Sequence, residues 1–443
     1  MTLSLSSIRK SASRLTNRGW FLVAAAVVCF VVAYGTGRGA LLYAASFLAL
    51  LPLVALLFIR LRRLRLSVVR TFSPTIVAAG SVAAVELLVR NTSRSASGPA
   101  TWADRIPWSP GTAGPGALPG LSAALGAAGT PGTEGTSTVL KYSVRPPTRG
   151  VFSLGPLEVE YADPFGLARG RSSLAGVQSL SVVPAIVPLG GGPSIIAGDG
   201  SARLVQRRSS GSDDDLMTRE YRSGDAMRRV HWRASARHGE LMVRQEEQRT
   251  YPEARILIDT RRGGYSDVWL ELGGENGENS AFEWSVRMLA TLGSHLHRSG
   301  FLVEVLETAP AQVTPLGSAN SGTGLDLEFL VSLASIAMSS APPPGAPGGV
   351  EQHQQGLTGP IFAVLADPDE TTLQWIATQR KSFELGVAFV VGESSSRAVE
   401  RLAQYGWTCV PVGVTDDPGL AWASITRFSS AAAPMQGSAD ERR

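Results

Sequence analysis

Two apolar runs near the start of the chain, residues 20–37 (Trp20 to Gly37) and 40–59 (Ala40 to Ile59), limit what the rest can be. Each is about long enough to cross the hydrocarbon core of a bilayer as a helix. Between them, Gly35-Thr36-Gly37-Arg38-Gly39 reads as a tight polar turn, so residues 1–65 read as a short N-terminus and a transmembrane helical hairpin. A cleaved signal peptide fits worse, because a second span follows at once with no small-residue cleavage site between the two. Arg9, Lys10, Arg14 and Arg18 precede the first run, and Arg60, Arg62, Arg63, Arg65 and Arg70 follow the second, while the turn carries only Arg38. The excess of positive charge on cytoplasmic flanks predicts a two-pass protein of the inner or plasma membrane with both termini cytoplasmic.

The remaining chain is rich enough in apolar residues to bury a core: of 443 residues, 44% are apolar and 18% charged. The net charge of +4 is carried almost wholly by Arg, with Lys only at 10, 141 and 381. No basic patch with interleaved aromatics and no known nucleic-acid module is present, so nucleic acid is not an expected partner. Cys29 and Cys409 are too far apart in kind and position to suggest a disulfide framework, which fits a reducing compartment.

Residues 66–190 show a period of two. The runs at 66–70, 82–90, 139–144, 150–154, 157–161 and 179–184 alternate with turn residues and predict an all-β, sandwich-like domain. Residues 109–137, rich in Gly, Pro, Ala, Ser and Thr, read as a flexible loop within it. Asp163-Pro164-Phe165-Gly166-Leu167 reads as a structural turn with a buried Phe165 in preference to a binding loop.

After residue 250 the pattern changes to alternating strands and helices: strands at 255–259, 301–306, 361–366, 386–392 and 407–412, helices at 280–299, 325–338, 369–380 and 395–405, and a Pro/Gly/Gln linker at 340–359. This predicts an α/β domain over 251–428 with a doubly wound, mostly parallel sheet, followed by a disordered tail at 429–443. No P-loop, dinucleotide fingerprint or nucleophile elbow occurs, and Cys409 reads as a core residue.

Between the two domains, residues 191–250 hold the densest charge. Within 219–247, Arg and carboxylates alternate around Tyr221, Val230, Trp232 and Val243, which read as buried types. Arg–carboxylate pairing there predicts a structural lock first and a partner or anion contact second. A hydrolytic site built from Glu220, Asp225 and His231 ranks last, since neighbouring guanidinium groups would lower the carboxylate pKa values and spoil them as proton donors.

The run Arg219-Glu220-Tyr221, Gly224-Asp225, Arg228-Arg229-Val230-His231-Trp232, Ala236-Arg237, Gly239 and Val243-Arg244 resembles the signature of the domain of unknown function 58 family. The family often has Asp where this chain has His231, which argues against an essential carboxylate there. The Asp163–Leu167 turn and the N-terminal hairpin are similar to family features too. The resemblance implies a von Willebrand factor A-like fold for the α/β domain, which often holds a divalent metal through D-x-S-x-S after its first strand. This chain reads Asp259-Thr260-Arg261-Arg262-Gly263, so both serine positions are lost and a guanidinium stands where it would repel a cation. The implied expectation is a metal-free site in which Asp259 pairs with an Arg, and no cofactor. The resemblance also implies partners: a MoxR-type AAA+ ATPase and a membrane-bound transglutaminase-like protein. It points to a non-enzymatic adaptor acting in assembly or remodelling of a membrane or envelope complex, with Arg219, Glu220, Tyr221, Gly224, Asp225, Arg228, Arg229, His231, Trp232, Arg237 and Arg244 as candidate contacts. The alternatives are a metal-dependent ligand-binding A-type domain and the hydrolase.

Overall fold

The computed structural model describes residues 12–62, 64–93, 95–109, 112–123, 136–174, 176–190, 218–221, 227, 230, 232–244, 253–265, 279–316, 327–344, 359–383, 385–392 and 396–431. The chain divides into two units, Met1–Val183 and Pro184–Arg443.

In the first unit, the apolar runs form α1 (Asn17–Thr36) and α2 (Gly39–Leu61), both long and apolar enough to cross a membrane. Their buried positions are Gly19, Ala26 and Ala33 on α1, spaced by seven, and Ala45, Pro52, Ala55 and Ile59 on α2. Small residues such as Ala26, Ala33 and Ala45 let two helices approach closely without a hydrophobic drive between them. The bulky side chains, among them Trp20, Phe21, Tyr34 and Phe47, point outward with no protein cover.

Ahead of α1 lies an unexpected strand, β1 (Ala12–Leu15). It adds to the edge of a five-stranded antiparallel sheet ordered β1-β10-β9-β5-β6, where β5 is Ala100–Arg105, β6 Thr112–Leu118, β9 Leu157–Ala162 and β10 Ala168–Leu174. β6 corrects the reading of 109–137 as a flexible loop. Its Gly and Ala content serves packing instead: a Cβ on Gly116 would lie 2.7 Å from the Trp102 indole nitrogen. Residues 124–135 lie outside the described residues.

Two three-stranded sheets complete the unit: β2 (Leu66–Ser73), β4 (Ala83–Asn91) and β7 (Ser137–Val144), all antiparallel, and β3 (Ile76–Ala78), β11 (Gln178–Val183) and β8 (Gly150–Leu154). All three sheets feed one core that includes Val77, Val85, Leu87, Trp102, Leu118, Leu140, Leu157 and Leu180. Strand β4 alternates buried and outward residues along its length, as period-two patterning requires.

The Asp163–Leu167 turn does hold structure, but Phe165 is 67% exposed, which corrects its expected burial. Asp163 anchors the turn instead, accepting the Phe165 and Ala168 amides at 2.9 and 2.6 Å. The Thr16 hydroxyl, which caps α1, donates to the Gly166 carbonyl at 2.7 Å. Gly19 is needed there, since a Cβ would come within 2.4 Å of the Leu167 carbonyl oxygen. Ile59 of α2 packs with Tyr161, Leu167 and Ala168.

In the second unit, β12 (Thr218–Glu220) pairs antiparallel with β13 (Met242–Arg244), and α3 (Trp232–His238) lies between them in sequence. The α/β part then runs β14 (Glu253–Ile258), α4 (Ser280–Arg298), β15 (Leu302–Glu307), α5 (Leu327–Ser335), β16 (Pro360–Leu365), α6 (Glu370–Gln379), β17 (Leu385–Val391), α7 (Ser396–Gln404), β18 (Thr408–Val412) and α8 (Pro418–Ala431). α8 continues into the stretch expected to be a tail, and 432–443 lie outside the described residues. The five strands are all parallel in the order β15-β14-β16-β17-β18.

Strand residues alternate between two covered faces. Leu257, Ile361, Ala363 and Val390 pack under Leu373 and Ile376 of α6 and Leu402 of α7. Phe389 and Phe362 meet Trp284 of α4 and Trp422 of α8 on the other, with ring centroids 6.5 and 5.8 Å apart. Helices on both faces explain why these strands read as continuous apolar runs. Cys409 is half-buried in β18, and burial pushes its thiol up to about 12, which suits a packed, unreactive residue.

Candidate functional site at the switch point of the parallel sheet

The strand order reverses at β14, which has β15 on one side and β16 on the other. In an open parallel sheet, ligands bind outside the carboxyl ends of the strands at such a reversal. Here those ends deliver Asp259, Thr260 and Arg261 after β14, Glu307 and Thr308 at the end of β15, and Asp367 and Asp369 after β16.

Asp259 is fully buried. Its Oδ1 accepts from the Thr308 hydroxyl and, at 3.1 Å, from the Arg261 amide. Its carbonyl oxygen accepts the Tyr265 hydroxyl at 2.6 Å. Its Oδ2 has no partner and lies against the backbone of Gly264, where a Cβ would come within 1.9 Å. Burial raises the Asp259 pKa, opposed by the Thr308 and Arg261 hydrogen bonds. Burial likewise raises that of Glu307, whose Oε1 accepts the Gln312 and Val313 amides at 2.6 and 2.8 Å. The Thr260 hydroxyl lies near Glu307 and lowers its pKa, yet neither Thr260 Oγ1 nor Glu307 Oε2 reaches a partner with hydrogen-bond geometry.

The Arg261 guanidinium turns away from Asp259. It donates through Nη1 to Asp369 Oδ2 at 2.6 Å and to the Thr372 hydroxyl, and through Nε to the Ala341 carbonyl at 3.1 Å. Asp369 also caps α6, accepting the Thr372 amide at 2.8 Å. Partial burial pushes its carboxyl up, but the amide and the Arg261 contact outweigh that and leave it below the ordinary value. The expectation that Asp259 pairs with an Arg is therefore corrected: the guanidinium is held by Asp369, Thr372 and the Ala341 carbonyl.

The charged signature segment is less fully described. Arg219, Glu220 and Tyr221 run alongside Val243, Met242 and Leu241: the first two pair in register, and the Tyr221 amide donates to Leu241 at 2.7 Å. Val230 and Val243 are buried, as expected. Trp232, read as buried, is 66% exposed at the start of α3. Arg237 is exposed, and Arg244 lies in β13. Gly224, Asp225, Arg228, Arg229 and His231 lie outside the described residues, and with them most of the hydrolase arrangement. Among the described residues no group of three or more His, Cys, Asp or Glu is placed to hold a metal ion.

Residues 217–263 match the family model described as "Protein of unknown function DUF58". The match supports that family. It spans the signature run and the first strand of the parallel sheet, ending at Gly263. No curated protein matches the chain. Among solved structures, the CARDB domain of a Pyrococcus furiosus protein, crystallised in complex with di-metal ions, is 13% identical over 27% of this chain and 89% of that one, with a TM-score of 0.18. A Paenibacillus cycloisomaltooligosaccharide glucanotransferase complexed with cycloisomaltoheptaose is 10% identical over 78% of this chain and 52% of that one, also at 0.18. Scores this low support no conclusion about this chain.

Thr308, Thr372 and Asp369 escaped the sequence reading because each follows a different strand from Asp259. The rule that ligand-facing residues collect at strand carboxyl ends would have found Thr308 and Asp369.

Proposed function

We propose that the protein is a membrane-anchored, non-enzymatic cytoplasmic adaptor that works with a MoxR-type AAA+ ATPase, in the company of a transglutaminase-like membrane protein, on a membrane or envelope complex. In this reading α1 and α2 span the inner or plasma membrane with both termini cytoplasmic. The β part is sandwich-like, and the α/β part is a von Willebrand factor A-like module.

The observation that carries the reading is Trp232, 66% exposed on α3 with Met227 and Leu241 also exposed nearby in sequence, inside the segment that matches the family model. A large aromatic held in water on a folded segment, flanked by arginines, is the composition of an interface anchor. The ligand crevice of the sheet, by contrast, already holds an internal cation in Arg261, which favours the adaptor over the metal-dependent A-type domain.

The test is affinity purification of the full-length protein from mild detergent, with and without ATP, followed by mass spectrometry. Recovery of an AAA+ ATPase that falls about tenfold or more in W232A, and falls again in R228E/R229E, supports the adaptor. A protein recovered alone removes it.

A further inference from the structure

In the register of β1 on β10, Arg14 stands directly opposite Arg169. Like charges directly opposite each other destabilise a strand pair, and among the described residues only Arg169 of the two has a carboxylate beside it. Arg171 points to the same side of β10 as Arg169, and Arg18 follows in the first turn of α1. These four arginines, with Thr16 and Glu160, line an open cavity of about 690 Å³. Glu160 is held by Arg169 at 3.1 Å, and Arg171 pairs with Glu158, which Arg105 also reaches at 3.4 Å. Among the described residues no carboxylate pairs with Arg14 or Arg18, so two guanidinium groups remain for an outside anion.

The place of the cavity selects the anion. It opens at the foot of α1, where Trp20 and Phe21 are 62% and 75% exposed, and beside Gly166, whose neighbour Phe165 is 67% exposed. Exposed aromatics at the end of a spanning helix sit at the level of lipid head groups. Basic pockets on the cytoplasmic side of such helices suit anionic head groups. We propose that this cavity binds the head group of an anionic phospholipid, with Arg14 and Arg18 on its phosphate and the acyl chains left to the outward apolar face of α1. The proposal rests on the membrane-anchor reading above. A bound phosphate would also neutralise the Arg14–Arg169 repulsion, so the lipid would hold β1 on its sheet.

The experiment reconstitutes the full-length protein into nanodiscs of phosphatidylcholine with a minority of phosphatidylglycerol and measures by native mass spectrometry which lipids stay bound. The expected result is phosphatidylglycerol retained roughly tenfold above its share of the disc. In R14Q/R18Q it falls to its share, while the charge-matched R90Q/R262Q behaves as wild type. Equal retention of both lipids by an incorporated wild-type protein overturns the pocket and leaves the anchor standing. Failure to enter discs, or to float with phosphatidylcholine vesicles, overturns the anchor and the pocket together. If inorganic phosphate raises the melting midpoint in detergent as much as short-chain phosphatidylglycerol does, the site takes free anions and the lipid assignment is overturned. Should R14Q/R18Q not fold, photoreactive phosphatidylglycerol decides: label concentrated on the peptide from Ser13 to Phe21 supports the pocket, and label spread evenly along α1 and α2 overturns it.

Discussion

The first unit buries an arginine–carboxylate pair in its β core, and the second sets one at the end of its parallel sheet, with opposite degrees of closure. In the β core, Arg70 grips Asp104 with two hydrogen bonds, 2.9 Å from Nε and 2.6 Å from Nη2, and the Tyr142 hydroxyl adds a third at 2.6 Å. Both partners are buried, and none of the three groups is left with an unsatisfied buried atom. Burial first, and then the Asp104 carboxylate, push the Tyr142 hydroxyl well above its usual range, so it stays a donor. At the end of the parallel sheet, Asp259 Oδ2, Thr260 Oγ1 and Glu307 Oε2 are buried without partners, and the guanidinium serves Asp369 instead. A closed polar network specifies a core; an open one is a place where the fold tolerates strain for some other end.

The same substitution in the two places tests this contrast most directly. D104N leaves Arg70 buried without its counter-charge and is expected to cost about 3–5 kcal/mol, read as loss of hydrogen-exchange protection across β2, β5 and β7. A loss below about 1 kcal/mol would mean the closed network contributes little and the comparison fails. In the second unit the largest effect belongs to Gly264→Ala, at about 3 kcal/mol in the protection of β14, since a Cβ there would meet Asp259 Oδ2 at 1.9 Å. A tolerated alanine would show that the carboxylate is free to move. R261A is expected to cost about 2 kcal/mol, less than the β-core change because Asp369 keeps water within reach, its side chain being 38% exposed. D259N should be smallest, within about 1 kcal/mol at neutral pH, because it removes a charge that burial already opposes.

The pH dependence carries the same sign. A carboxyl whose folded pKa lies above its unfolded value binds its proton more tightly in the native state. Asp259 and Glu307 therefore support the fold below the ordinary carboxylate range, and that support is lost as pH rises through their raised values. Denaturation of the wild type as pH rises from the ordinary carboxylate range should show stability falling over that window. D259N should flatten the fall to the part due to Glu307, and an unchanged slope would remove Asp259 from the account.

Legibility differed in the same way between the two regions. The parallel strands read within a residue or two of their places because both faces are covered and each strand is one apolar run. β6 was hidden because Gly and Pro weigh against a strand, and only its proximity to Trp102 explains the composition. β1 was hidden because four residues carry no period and its partner is remote in sequence. At the switch point Asp259 and Arg261 were legible as a pair of chemical types, but the direction of the guanidinium depends on Thr372 and Asp369, which only the sheet order brings near. Trp232 was misread because an aromatic in a charged run reads as core, whereas here it is exposed.

The edge position of β1 has a consequence for how the protein is made. Thr16, which caps α1, bonds to Gly166, 150 residues further along the chain. On a ribosome the two apolar helices are finished long before β10 exists, so they are first made with an unpaired strand and a loose first turn ahead of them. Only when the β domain has been translated and folded can its edge draw that strand in, because a contact so distant in sequence forms late. Docking of β1 is then a late step in folding the first unit, and a nascent chain arrested before residue 166 would carry two apolar helices whose N-terminal end is not yet tied to the β domain.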